Sequence, residues 1–223
     1  MRFSAFFLFA AVLLAQTFGS HAAHAQTITL TGPQNVKPGQ TGVVLSVNLS
    51  GSAGANIAAL QATLSIPAGF TITSSSIGAS GTSAGKTLFC NPTAPTCILA
   101  GLNQTVLADG VLFTVTGTVA ASASGSLGFS LSNQLGASNA AKAVSVPIAT
   151  GPALSLPVIS PCDINGDGKV DISDVQAYLN SYILTATPAN PIVDLNGDGI
   201  ANIIDVQRIA TAGTPGGACV TGP

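Results

Sequence analysis

Residues 163–174 read Asp-Ile-Asn-Gly-Asp-Gly-Lys-Val-Asp-Ile-Ser-Asp, and residues 194–205 read Asp-Leu-Asn-Gly-Asp-Gly-Ile-Ala-Asn-Ile-Ile-Asp. The second stretch begins 31 residues after the first, and both carry oxygen-bearing side chains at positions 1, 3, 5, 9 and 12 with Gly at position 6. A hard divalent cation of calcium's size takes six to eight oxygens, and alternate residues of a tightly wound loop can aim theirs at one centre. The spacing therefore predicts two calcium ions. The first is expected on Asp163, Asn165, Asp167, the Lys169 carbonyl, Asp171 and Asp174. The second is expected on Asp194, Asn196, Asp198, the Ile200 carbonyl, Asn202 and Asp205.

A helix is expected after each loop. Val175, Tyr178, Leu179, Tyr182 and Ile183 recur at three- and four-residue spacing as one apolar stripe, and Val206, Ile209 and Ala210 make a shorter one. The duplicated loop-helix unit places Asp at position 12 and repeats Asp-Val-Gln at 174–176 and 205–207. Over about residues 162–219 it resembles the type I dockerin. That resemblance implies calcium-dependent docking to a cohesin-like domain of another extracellular protein. It also implies that recognition centres on loop positions 10 and 11, here Ile172 with Ser173 and Ile203 with Ile204. These pairs are more apolar than the hydroxyl-rich pairs common in that family, so a partner with an apolar patch is expected.

Upstream the period changes to two. Val43, Leu45, Val47 and Leu49 alternate with Ser46, Asn48 and Ser50, the pattern of a half-buried strand. The same alternation runs through 60–66, 111–115 and 127–131, and Lys37-Pro38-Gly39, Pro67-Ala68-Gly69 and Asp109-Gly110 supply turns between the segments. Eight or nine short strands packed as two antiparallel sheets are expected. The run from Val36 to Thr41 into Val43–Leu49, the segment 57–64, and the Asp109-Gly110 turn leading into Val111–Thr116 are similar to a cohesin module. The resemblance implies a jelly-roll β-sandwich of about nine strands, a fold shared with some carbohydrate-binding modules.

The chain opens with Arg2, an apolar run from Phe6 to Ala15, and Ala23-His24-Ala25 before Gln26, the layout of a secretory signal peptide. The expected organisation is thus a signal peptide over 1–25, a β-sandwich over 26–159 and a calcium module over 160–223. The apolar run is shorter than the roughly 18 residues of a spanning helix, so no membrane span is expected. Nor is a nucleic-acid partner. Secretion agrees with the four cysteines, for which two local disulfides are expected: Cys90 with Cys97 around a Pro-rich loop, and Cys162 with Cys219 around the acidic module.

Composition limits the chemistry. Only 6% of residues are charged, Glu is absent, and both histidines, His21 and His24, fall in the signal segment. Imidazole-based acid-base catalysis and zinc ligation are thereby excluded for the mature chain. Of the eight aspartates only Asp109 lies upstream of the module, so the β-domain lacks the carboxyl pair that glycoside hydrolysis ordinarily needs. The chain is expected to be a secreted, non-catalytic adaptor, placed by the dockerin resemblance in an extracellular polysaccharide-degrading or surface assembly. Carbohydrate binding by the sandwich is the alternative. Of its rings, Phe70, Phe89, Phe113 and Phe129, two (Phe113 and Phe129) lie on the inward face of the alternation, and it has no Trp or Tyr to form a sugar platform.

Overall fold

A computed structural model describes residues 26–52, 56–91, 95–140, 143–183 and 193–222. The expected signal segment and the centre of the Pro-rich loop, residues 92–94, lie outside them. The first unit is a sandwich of two sheets. One is ordered β10-β1-β2-β7-β4, from Ala149–Thr150, Thr27–Thr31, Val43–Ser50, Gly110–Val119 and Phe70–Ile77. The other runs β11-β8-β3-β6-β5, from Leu154–Pro157, Ser126–Ser138, Ile57–Ser65, Thr96–Ala100 and Thr87–Cys90, with the two-residue β9 (Ser145–Val146) beside β8.

Alternation explains the layers. Val43, Leu45, Val47 and Leu49 are all buried and face Leu60, Ala62 and Leu64 within one continuous core. Full burial of each such side chain contributes about 2 kcal/mol. Phe113 and Phe129 are buried as expected, and the Phe129 ring meets Phe70 edge-on at 5.1 Å across the sandwich. Gly117 makes room for that pair, because a Cβ there would stand 2.3 Å from the Phe70 ring.

The sheets are not purely antiparallel. β1 pairs with β10 in parallel, and Val36 forms a parallel bridge to Val158. The strand count exceeds expectation because β9 and β10 are only two residues long, too short to show a period. A five-residue helix, α1 (Ala79–Ser83), lies between β4 and β5. Cys90 and Cys97 face each other in the β5–β6 register and are joined.

The second unit holds α2 (Ile172–Ser181) and α3 (Ile203–Ala212), packed around a small core of Tyr178, Val193, Leu195, Val206 and Ile209. Leu179 and Ala210, expected in the stripes, are exposed. Each follows a fully buried residue, Tyr178 or Ile209, and one step along a helix turns the side chain about 100° away. The Cys162–Cys219 disulfide closes the unit. Among the described residues no helix is long and apolar enough to cross a membrane.

Candidate metal loops and docking surfaces

Each loop is built by its own side chains. Asp163 Oδ1 accepts from Gly166 N at 2.8 Å and Oδ2 from Gly168 N at 2.9 Å; Asp194 does the same with Gly197 N and Gly199 N, both at 2.8 Å. The next ligands continue the winding: Asn165 accepts from Asp167 N and Asp167 from Lys169 N, mirrored by Asn196 with Asp198 N and Asp198 with Ile200 N. The sharp turn falls at Gly168 and Gly199, with φ of 88° and 85°, which only glycine adopts without strain.

The twelfth-position aspartates are wholly buried and latch the loop. Asp174 Oδ1 accepts from Ile164 N and Asn165 N, and Oδ2 from Asp171 N; Asp205 repeats this with Leu195 N, Asn196 N and Asn202 N. Asp171 and Asn202 in turn cap the helices by accepting from Ser173 N and Ile204 N, each completing a capping box. One set of polar groups thus sets loop closure, helix start and the direction of the first helical turn.

The donor set fits a hard cation. In the second loop, Asn196 Nδ2 lies 2.8 Å from Asp198 Oδ2, and Asn202 Nδ2 lies 3.3 Å from the same oxygen and 3.4 Å from the Ile200 carbonyl. Positions 3, 5, 7 and 9 therefore converge. In the first loop Asn165 and Asp167 stand together in the same way, at 3.2 Å. Among the described residues no three Asp, Glu, His or Cys side chains form a tight cluster, and each loop's oxygens are shared among carboxylate, amide and carbonyl. Hydrogen bonds, first that from Ser173 N, hold Asp171 below the usual carboxylate range, and the Asn196 side chain does most to lower Asp198. Both stay ionised and ready for a cation.

Tyr178 shows that the repeats are not equivalent. Its ring is fully buried and its hydroxyl makes no hydrogen bond of good geometry, although Asp205 lies close by. Burial foremost, then Asp205, Asp194 and Asp198, push the phenol upward. The residue 31 positions on is the equally buried Ile209, so only the first-repeat helix brings a hydroxyl to the other repeat's loop.

The residues expected at the recognition positions stand on the first helical turns. Ile172 is 69% exposed and Ile203 66%, with Ser173 and Ile204 exposed beside them. Each repeat thus leaves aliphatic side chains uncovered at the start of its helix, a feature suited to association.

Three features escaped the sequence reading. The Asn35 side-chain amide donates to the Gly166 carbonyl at 3.2 Å and Lys37 Nζ to the Pro161 carbonyl at 3.2 Å, joining the β1–β2 connection to the calcium module. Desolvation lowers Lys37, while Asp163 and Asp174 act the other way. Arg208 Nη1 donates to the carbonyls of Leu195, Val220 and Gly222, fastening the C-terminal tail. These contacts join residues distant in sequence and leave no local pattern. The third is a row on the second sheet, exposed Leu135, Ile98 and Phe89 with half-buried Gln61, aligned by register across β8, β3, β6 and β5. The doubled apolar residues Leu88-Phe89 and Ile98-Leu99, which cannot both face one core, were the available signal.

Comparison with known proteins adds to this geometry. Residues 161–212 match the family model described as the dockerin type I domain. Several solved structures share the sandwich fold. The seventh ScaB type I cohesin from Pseudobacteroides cellulosolvens is 14% identical, with 60% of this chain and 92% of that chain covered and a TM-score of 0.51. The third ScaB cohesin of R. flavefaciens, in complex with a group 1 dockerin, is 16% identical over 61% of this chain and 96% of that one, at a TM-score of 0.50. The third cohesin ScaC of Acetivibrio cellulolyticus, in complex with the ScaB dockerin, is 14% identical over 60% and 99%, also at 0.50. No curated protein matches. The C-terminal module is type I dockerin-like, and the first unit has a cohesin-like β-sandwich fold.

Proposed function

We propose that this protein is a secreted, non-catalytic adaptor whose C-terminal module docks, when calcium is bound, onto a cohesin-like domain of another extracellular or cell-surface protein. The observation that carries the reading is the paired presentation of Ile172 with Ser173 and Ile203 with Ile204 on helix starts fixed by the metal loops. Two ions are expected. Asp163, Asn165, Asp167, the Lys169 carbonyl, Asp171 and Asp174 would hold one; Asp194, Asn196, Asp198, the Ile200 carbonyl, Asn202 and Asp205 would hold the other. Asp174 and Asp205 also accept backbone N–H groups from both ends of their loops and keep them closed. Bound calcium neutralises loop carboxylates and favours the folded loop, so binding free energy becomes folding free energy.

Domains 26–159 and 160–223 are assigned separate tasks, a receptor-type sandwich and a docking module, and a polysaccharide-degrading or surface assembly is the setting the family likeness supports. Carbohydrate binding is less well supported, because of the sandwich's four rings Phe70, Phe113 and Phe129 are buried in the core and a single one, Phe89, is exposed. The test is affinity capture from the secreted fraction, in calcium and in chelator, with the wild-type chain and with Ile172→Asp combined with Ile203→Asp. A cohesin-like protein retained only in calcium and only by wild type is the expected result. Retention of polysaccharide by the sandwich, with no protein partner, overturns the reading.

A further inference from the structure

We infer that Asn165 and Asn196 are deamidation sites that the closed loops protect, so that loss of calcium starts an irreversible loss of the docking module. The inference rests on the calcium role proposed for the two loops and adds a covalent modification to it.

Only two asparagines in the chain, Asn165 and Asn196, are followed by glycine, and each stands at the third position of a loop. Such a pair is chemically fragile, because glycine has no side chain to shield its N–H from the amide carbon beside it. In the first loop Gly166 N attacks Asn165 Cγ. The N–Cγ bond forms, the Cγ–Nδ2 bond breaks, and the N–H proton passes through water to the departing nitrogen, which leaves as ammonia. The product is a five-membered succinimide. Water then opens the ring at either carbonyl, giving Asp or its isomer in which the main chain runs through Cβ and Cγ. Gly197 and Asn196 undergo the same steps in the second loop.

The folded loop withholds both reacting groups. Gly166 N is directed at Asp163 Oδ1, 2.8 Å away, and Gly197 N at Asp194 Oδ1 at the same distance. The amide is tied as well. Asn165 Oδ1 accepts from Asp167 N at 3.0 Å and its Nδ2 donates to Asp167 Oδ2 at 3.2 Å. Asn196 makes the same pair of contacts with Asp198, at 3.2 Å and 2.8 Å. Each amide therefore faces the residue two places on instead of the nitrogen next to it.

The groups that protect are also the expected calcium ligands: Asp163, Asn165 and Asp167 in one loop, Asp194, Asn196 and Asp198 in the other. An ion that favours the folded loop thus favours the protected amide. When the loop opens, the glycine N–H and the asparagine oxygen are released together. Freeing two hydrogen bonds of ordinary net strength corresponds to a rate increase of roughly thirtyfold. The isomer inserts an extra atom into the main chain between the third and fourth loop residues, so oxygens spaced to meet at one centre no longer do so. Calcium returned later finds no site, and the module cannot dock again.

Peptide mapping by mass spectrometry on the full chain, held in warm, mildly alkaline buffer with calcium or with chelator, tests this. Deamidation is read as the mass gain of an amide turned into a carboxylate, and isomerisation by an isoaspartate assay. Asn165 and Asn196 should react roughly thirtyfold faster in chelator. Asn103, exposed in the sandwich and followed by Gln, should react equally slowly in both. Calorimetric titration after calcium is restored should show sites lost in proportion to the isoaspartate formed. Asn165→Asp with Asn196→Asp keeps an oxygen at each third position and has no ammonia to lose, so it should recover its calcium sites after the same treatment. Equal rates in the two buffers, or loss of sites by the Asp variant at the wild-type pace, overturns the inference. Two calcium sites in the untreated chain would then leave the docking reading standing, whereas a chain that takes up no calcium removes both.

Discussion

The Asn35 side-chain amide of the sandwich donates to the Gly166 carbonyl of the first calcium loop across 3.2 Å. Gly166 is the fourth residue of that loop, and its own N–H is held by Asp163. The sandwich thus grips a peptide unit inside the metal-binding turn.

Asn35→Ala should therefore weaken the first of the two proposed calcium sites and spare the other. A hydrogen bond of this kind contributes about 1 kcal/mol net, which corresponds to roughly a fivefold loss of affinity. Calorimetric calcium titration of the full chain, wild type against variant, checks it; two unchanged sites would mean that the contact does not reach the loop's energetics.

Calcium removal should unfold the module's helices while leaving the sandwich intact. Asp163→Ala with Asp194→Ala removes a residue that accepts two N–H bonds in the first loop and three in the second, and should abolish both calcium binding and partner capture. Ile172→Asp with Ile203→Asp should keep calcium binding and lose only capture. The Cys162–Cys219 bridge, closing a long loop, contributes about 4 kcal/mol by chain-entropy arithmetic, so reduction should sharpen the calcium dependence. Helical circular dichroism with and without chelator and reductant is the measurement.

Tyr178→Phe should extinguish most tyrosine-sensitised terbium emission. The chain has no Trp and two Tyr, and Tyr178 is the one whose phenol feels the charges of Asp205, Asp194 and Asp198. Terbium, a calcium-sized ion excited through a nearby phenol, should stay bright in Tyr182→Phe. The Tyr178 change also deletes a buried hydroxyl that makes no good hydrogen bond, so thermal stability should not fall.

Asp109→Asn should flatten the acid end of the sandwich's stability profile. The Ser52 side chain, then Ser52 N and Gly51 N, hold this carboxyl below its ordinary 3.8. Its folded value is thus lower than its unfolded one: the stabilisation is complete above the unfolded value and is lost as pH falls through the folded one. Thermal melts of the full chain from about pH 5 to about pH 2 should show a shallower decline in the variant.

The sequence was most legible where local chemistry dictates local geometry. Gly168 and Gly199 had to turn, a helix had to follow each loop, and alternation in Val43–Ser50 placed one strand to the residue. Leu179 misled because a ten-residue helix on a small core buries a narrow stripe. Leu135 lay beyond the alternating segment read from sequence, and its parity depends on a shift against β3 that no local pattern encodes. The grip of Asn35 on Gly166 spans 131 residues and was invisible for the same reason.

The Cys162–Cys219 bridge also sets how the module carries tension. A pull on the docking face returns to the sandwich by two covalent routes, one from Ile172 back through the first loop to Cys162, the other from Ile203 along α3 to Cys219 and across the sulfurs. Load is divided between them. With the bridge reduced, the whole of it passes through residues 163–171, and the first calcium loop becomes the link that must hold.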